Sequence, residues 1–219
     1  MAQVSFEQVT ADERVKACIR QADEVLSAIG YTEHGFSHVM KVARAAGDIM
    51  TTLGFSPREA ELAAIAGYLH DVGNVVNRAG HAQSGALLAY QLLTALGMDE
   101  AEKTQVVCAV GHHDEATAAP VTAIAAALII ADKSDVRRSR VRDPKDDGIH
   151  GRVNSSVDET HIVLDRGNKT LTLSMRIDTA VSSVMEYFEA FLSRMELCRA
   201  AAQKLSLSFK LEINGQQML

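Results

Sequence analysis

From Thr10 to Arg140 the chain punctuates itself as a succession of helices, and that rhythm constrains the fold more than any other feature. Thr10-Ala11-Asp12-Glu13 reads as a capping box opening a helix that Gly30 closes. Ser56-Pro57-Arg58-Glu59 is a second box, with proline at the first helical position, and Gly54 closes the helix before it. Asp99 to Glu102 repeats the pattern after Gly97, and Pro120 opens the apolar run Val121 to Ala131. About six consecutive helices are expected here. Aromatic residues are only 5% of the chain and Trp is absent, so Ala, Leu, Ile, Val and Met must build the core, which favours helices packed closely through small residues.

The character changes after Arg142, where DPKDDGIHG gathers Asp, Pro and Gly into a loop or hinge. Leu171, Leu173, Met175 and Ile177 then alternate with polar residues, the period of a half-buried strand, and Arg166 to Lys169 turns it back on His161–Asp165. A long helix is expected over 180–204. Leu207, Phe209, Leu211 and Ile213 alternate again up to Asn214-Gly215. The expected class is mainly α: a helical domain over residues 1–145, and a small C-terminal α+β appendage over 146–219 with about three antiparallel strands and a long helix.

A length of 219 residues can bury a real core without staples. The net charge of −6 argues against nucleic acid as a partner. Cys18, Cys108 and Cys198 are scattered and odd in number, which reads as free thiols in a reducing compartment. The N-terminus lacks signal-peptide character and no apolar stretch suits a membrane span, so a cytoplasmic protein is expected.

Six of the eight histidines, His34, His38, His70, His81, His112 and His113, fall in the helical section together with Asp71 and Asp132. Imidazole and carboxylate are the ligands that divalent Mn, Fe, Co, Ni and Zn prefer. His34 and His38, four apart, can share a helical face. His70-Asp71 ends an apolar run where Gly73 can break the helix, and adjacent helical residues point about 100° apart, so the pair can serve different metals or bridge two. His81 heads the next helix. Asp132 stands in ALIIADKSDV, where a buried carboxylate needs a cation. Lys133 and Arg137 share a helical face, as do Arg138 and Arg142, and this basic run, Arg140 included, can clamp phosphate; a solvated helix end is the alternative for Arg138, Arg140 and Arg142. Asn74 and Asn77 read either as the cavity mouth or as turn residues. His150 and His161 read as ordinary structural histidines.

The order His38, His70-Asp71, Asp132 resembles the H…HD…D pattern of the HD superfamily of metal-dependent phosphohydrolases. His81 in H-A-Q-S-G-A and His112-His113 in HHDE resemble the additional elements of its dinuclear branches, the HD-GYP phosphodiesterases and ribonuclease Y. No G-Y-P triad follows His113, and Asn74 stands where HD-GYP proteins often carry lysine. The resemblance implies an HD-domain bundle holding two divalent ions, drawn from Fe, Mn, Co, Ni or Zn. Asp71 would bridge them, with His38, His70 and Asp132 on one ion, His81 and His112, joined by His113, on the other, and His34 as a possible additional ligand. It implies hydrolysis of a small phosphomonoester or phosphodiester, a nucleotide among the candidates, with Asp71, Lys133 and Arg137 in the reaction and the last two on the substrate phosphate. A di-iron oxygenase of HD type and a non-catalytic metal- or nucleotide-binding regulator are the alternatives, and a homo-oligomer stays open.

Overall fold

The structure, a computed structural model, describes residues 3–143 and 148–219. Its first section is helical: α1 (Phe6–Ala11), α2 (Glu13–Ala28), α3 (Phe36–Leu53), α4 (Pro57–Leu69), α5 (His81–Leu96), α6 (Glu100–Gly111) and α7 (Ala123–Lys133). The second holds α8 (Ile149–Ser156), the strands β1 (Val157–Asp165) and β2 (Thr170–Ile177), the long α9 (Val184–Lys204), and β3 (Ser208–Ile213) and β4 (Gln216–Gln217). A helical section with a small α+β appendage is thus the architecture observed. The junction expected at 145/146, with the whole Pro-Lys-Asp-Asp segment, lies outside the described residues. Among the described residues no helix is long and apolar enough to cross a membrane.

Helix α7 is the axis of the core. It is apolar around its whole circumference from Ile124 to Ala131, so it is stable only when covered on every side. Helices α3, α4, α6 and α9 cover it. Side chains such as Leu128 and Ile129, with no exposure at all, each stabilise the fold by roughly 1.5–3 kcal/mol. Small residues let the helices approach: a Cβ on Gly67 of α4 would lie 2.7 Å from Ala43 Cα of α3.

The caps differ from expectation at one place. No single helix opens at Thr10; Ser5 and Gln8 form the box that starts α1, and Asp12 caps α2 by accepting from Arg14 and Val15 N–H. Thr10 turns its hydroxyl back to Glu7 O at 3.1 Å, while the Asp12 carboxylate can satisfy two orphan donors at once. The Ser56 box and the Asp99 cap form as read.

The sheet has the order β1-β2-β3-β4. β1 and β2 make the expected antiparallel hairpin, but β3 runs parallel to β2, with Leu171 beside Phe209. The cause is α9, which carries the chain back along the sheet before β3 begins, as a crossover between parallel strands must. Asn214 (φ 52°) and Gly215 (φ 77°) then supply the positive φ angles that a tight turn into β4 demands. α9 kinks at the buried Phe191 (φ −131°, ψ 15°), one turn before Arg194.

Gly73, just beyond α4, is pressed against α5. An added Cβ would sit 2.0 Å from His81 O and 2.4 Å from Gly85 N, both backbone atoms. Gly73→Ala should cost about 3 kcal/mol in urea denaturation. Gly111→Ala, whose Cβ would meet only Ala86 Cβ at 3.5 Å, should change stability little. Wild-type stability in the Gly73 variant would contradict the close contact.

Candidate metal centre

Helix ends converge on one buried point. His38 lies in the first turn of α3, His70 directly follows α4 with Asp71 after it, His81 opens α5, His113 lies just past α6, and Asp132 is the penultimate residue of α7. The four histidines and Asp71 are buried, and the Asp132 side chain is 12% exposed.

The rings are oriented by their far nitrogens. Nδ1–H of His70 donates to Gly67 O (2.8 Å), that of His81 to Arg78 O (3.0 Å) and that of His113 to Val110 O (2.6 Å). A carbonyl only accepts, so in each neutral ring the proton sits on Nδ1 and Nε2 carries a lone pair. The Asp135 carboxylate, 2.8 Å from Nδ1, orients His38 in the same way. Yet Nε2 of His38 lies 3.2 Å from Nε2 of His70, and Nε2 of His81 lies 3.2 Å from Nε2 of His113. Two lone pairs cannot hydrogen-bond to each other. Each pair needs positive charge: a proton or a metal ion for the first, and for the second either of these or the Arg78 guanidinium, whose Nη1 lies 3.4 Å from His81 Nε2.

Asp71 stands between the pairs. Its Oδ2 is 3.1 Å from His70 Nε2 and 3.6 Å from His38 Nε2, whereas its Oδ1 is 3.5 Å from His81 Nε2 and 3.9 Å from His113 Nε2. Asn74 holds this carboxylate, donating from Nδ2 to Oδ1 at 2.9 Å. Asp132 Oδ1 approaches the first pair, 3.3 Å from His38 Nε2 and 3.6 Å from His70 Nε2. Three triads have ligand atoms within 4.8 Å of one another and could hold metal: His38, His70 and Asp71; His70, His113 and Asp132; Asp71, His81 and His113. The donor set, all nitrogen and oxygen, fits a borderline or hard divalent ion.

Without metal, the cluster holds a proton. Burial resists charging His70, but Asp71 and Asp132 outweigh it and lift its pKa to about 10. Burial alone would raise Asp71 and Asp132; His70 reverses this for Asp71, and Lys133 with His38 and His70 for Asp132, so both stay well below the usual carboxylate range. Burial and the neighbouring His70 charge push His113 down to about 3.

Other expected residues fall differently. His34 precedes α3 instead of sharing its face with His38, because its N–H is held by Asp23 Oδ1 (2.7 Å) and its Nδ1–H by Thr32 O (2.6 Å). It still lines the cavity beside the cluster. His112 is turned aside, its Nδ1–H donating to Cys108 O (3.0 Å), so His113 faces His81. The shared helical face of Lys133 and Arg137 does not form, since α7 ends at Lys133. Arg137 binds Asp135 Oδ1 (2.9 Å) and Ser37 Oγ (3.0 Å) beside a separate surface depression. Arg138 pairs with Asp158 and Arg142 with Asp23, so they share no face either. Asn77 serves its turn, accepting from Ala79 N–H.

Asp71, His81, His113 and Asp132 of the cluster line a cavity of about 490 Å³, with His38 and His70 buried behind them. Lys133 lines it, its Nζ bound by Asp132 Oδ2 (2.7 Å) and Glu115 Oε2 (2.8 Å). Arg78, Arg140 and, from the appendage, His150, Asn154 and Arg194 line it too. Arg78 stacks on Tyr31, 5.2 Å from the ring centre. Arg140 belongs to the basic run after Asp132 in which the sequence offers a phosphate clamp; Arg78, Asn154 and Arg194 carry no such signal, since each sits in an ordinary context. His150, read as structural, is a wall residue.

Residues 35–137 match the family model of the HD domain, a span that contains every member of the cluster. The chain is similar to a solved structure described as a predicted HD superfamily hydrolase from an uncultured Thermotogales bacterium. That likeness has a TM-score of 0.45 and 24% identity and covers 57% of this chain and 68% of the other. No curated protein matches the chain.

In the metal-free protein, folding favours the charged His70 ring, whose pKa of about 10 exceeds the ordinary 6.5. That stabilisation is complete below pH 6.5 and is lost as pH rises through about 10. Urea denaturation in chelator should show this decline, and His70→Gln should flatten it. Metal-free stability that rises across the window would contradict the cluster's electrostatics.

Proposed function

We propose that this chain, which carries an HD domain over residues 35–137, is a metal-dependent phosphohydrolase with a dinuclear centre. One divalent ion would be held by His38, His70, Asp71 and Asp132, and the other by Asp71, His81 and His113. The observation that carries this reading is the division of Asp71, whose two oxygens face different histidine pairs. A carboxylate serving one ion has no need of the second pair, and in the His81–His113 contact Arg78 donates to His81 Nε2 (3.4 Å), which leaves the His113 lone pair for an ion.

Ions bound there supply Lewis acidity, which acidifies a water and neutralises charge on phosphoryl oxygens. The chain's own residues set the stage for that chemistry. Asp135 and Asn74 lock His38 and Asp71 in their ligand orientations. Lys133 keeps Asp132 ionised and places an ammonium on the cavity wall next to it. Burial resists that charge, but Asp132 and Glu115 more than offset it and raise the Lys133 pKa, so the cation persists. Arg78 and Arg140 add positive charge around the same space. A cavity with such walls suits a phosphomonoester or phosphodiester, nucleotides included.

Protein loaded with manganese should hold about two ions per chain by elemental analysis, and His81→Ala about one. His70→Ala and Asp71→Ala should abolish turnover in a phosphatase and phosphodiesterase panel run with Mn, Co, Ni, Fe and Mg. Activity surviving in both variants would overturn the assignment, and iron-dependent oxygen consumption in place of hydrolysis would replace it with oxygenase chemistry. Asp135→Asn, which leaves every proposed ligand in place, should weaken metal affinity about 10–100-fold.

A further inference from the structure

Two cations of the cavity have nitrogens left over from their structural partners. Arg140 is 4% exposed and lines the cavity. Its Nε donates to Glu33 O (2.8 Å) and its Nη1 to Asp135 O (2.7 Å), so two backbone carbonyls fix the plane of the guanidinium. Its Nη2 has no partner among the described residues. Arg194 reaches the same cavity from α9 in the appendage. Its Nε binds Glu115 Oε1 (2.7 Å) and its plane lies over Phe191, 4.3 Å from the ring centre. Among the described residues its two Nη groups have no partner.

Structural roles account for the Nε and Nη1 bonds and leave the remaining donors unexplained. Burial disfavours the Arg140 charge; Asp135, 3.8 Å from its Nη1, and Asp132 support it, and Arg194 opposes it. Arg194 likewise repels Lys133. The carboxylates at hand are shared: Asp135 faces Arg140 but also holds His38, Lys41 and Arg137, Glu115 bridges Lys133 and Arg194, and Asp132 serves Lys133 and the histidines. Guanidinium groups facing one cavity with spare donors, Arg140 buried and Arg194 a quarter exposed, are an arrangement that a tetrahedral oxyanion satisfies, since each fork can give parallel hydrogen bonds to its oxygens.

We propose that Arg140 and Arg194 form an anion subsite separate from the ligand cluster, which receives a second phosphate group carried by the substrate. The substrate class is thereby a bisphosphorylated small molecule, one phosphate hydrolysed over the cluster and the other held by the arginines. This rests on the phosphohydrolase reading, and it gives the appendage a part in specificity, because Arg194 lies outside the HD domain.

Binding and turnover separate the two readings. Inorganic phosphate titrated calorimetrically into the metal-free full chain should bind, and Arg194→Gln should weaken that binding about tenfold, with Arg194→Lys in between. On the manganese-loaded protein, a nucleoside 3′,5′-bisphosphate should be preferred over the 5′-monophosphate. Arg194→Gln should cut that preference about tenfold, mainly through KM. Phosphate binding that ignores Arg194, or equal turnover of the two nucleotides by the wild type, would overturn the subsite even if hydrolysis is robust. Arg194-dependent phosphate binding without hydrolysis of either nucleotide would sustain the subsite and sink the phosphohydrolase reading.

Discussion

A set of acceptors with no donor of its own stands at the centre of this molecule. Four imidazole Nε2 atoms and the carboxylates of Asp71 and Asp132 face one another, while every Nδ1–H among those rings is spent on a carbonyl or on Asp135. Holding such groups together costs several kcal/mol for each buried charge unless a cation enters. The fold must therefore draw its stability from elsewhere, and it draws it from α7. The helix that is apolar all round also carries Asp132 in its last turn, so one element anchors the core and brings a charge to its rim.

The way the rings are aimed follows from helix termini. The last carbonyls of a helix lack intrahelical partners, and an imidazole placed just past the end can take one of them. His70 does this at α4 through Gly67 O, and His113 does it at α6 through Val110 O. The bond fixes the tautomer and turns Nε2 inward. The negative ends of α4, α6 and α7 also point toward the cluster, which adds to its demand for positive charge. Ligand placement and ligand protonation are thus two results of one backbone feature.

This explains how far the residues could be read from the chain alone. His38, His70, Asp71, His81 and Asp132 were legible because each stands at a helix boundary marked by a cap, a glycine or an apolar run, and all of them meet. Choosing between His112 and His113 needs the phase at which α6 ends. The ring that reaches back to Val110 O faces inward and the one that reaches Cys108 O does not, and no residue pattern reports that. Arg137 was misplaced for a related reason: helical spacing was extended past Lys133, where Ser134 folds its hydroxyl back to Ala131 O (2.9 Å) and the helix stops. The parallel pairing of β3 is a property of the α9 crossover, which alternation within a strand cannot express. His150 and Arg194 were beyond reach because only tertiary packing brings α8 and α9 over the cavity.

That packing also decides how the appendage relates to the cluster. Arg194 binds Glu115 Oε1 at 2.7 Å, Glu115 Oε2 binds Lys133 at 2.8 Å, and Lys133 binds Asp132 at 2.7 Å. Charge contacts therefore run without a break from α9 to the last carboxylate of the ligand set. Burial would raise the Glu115 pKa, yet Lys133 and Arg194 bring it to about 2, so it is the two cations together that keep this link ionised. A chain of alternating charges in low dielectric is stable only while every member has both neighbours. Without α9, Glu115 would keep Lys133 alone, and Lys133 would be drawn away from Asp132 by a carboxylate with an unmet demand. The sheet and α9 thus act on Asp132 at a distance of three side chains, and the α+β section is part of the electrostatic frame of the site as well as its wall.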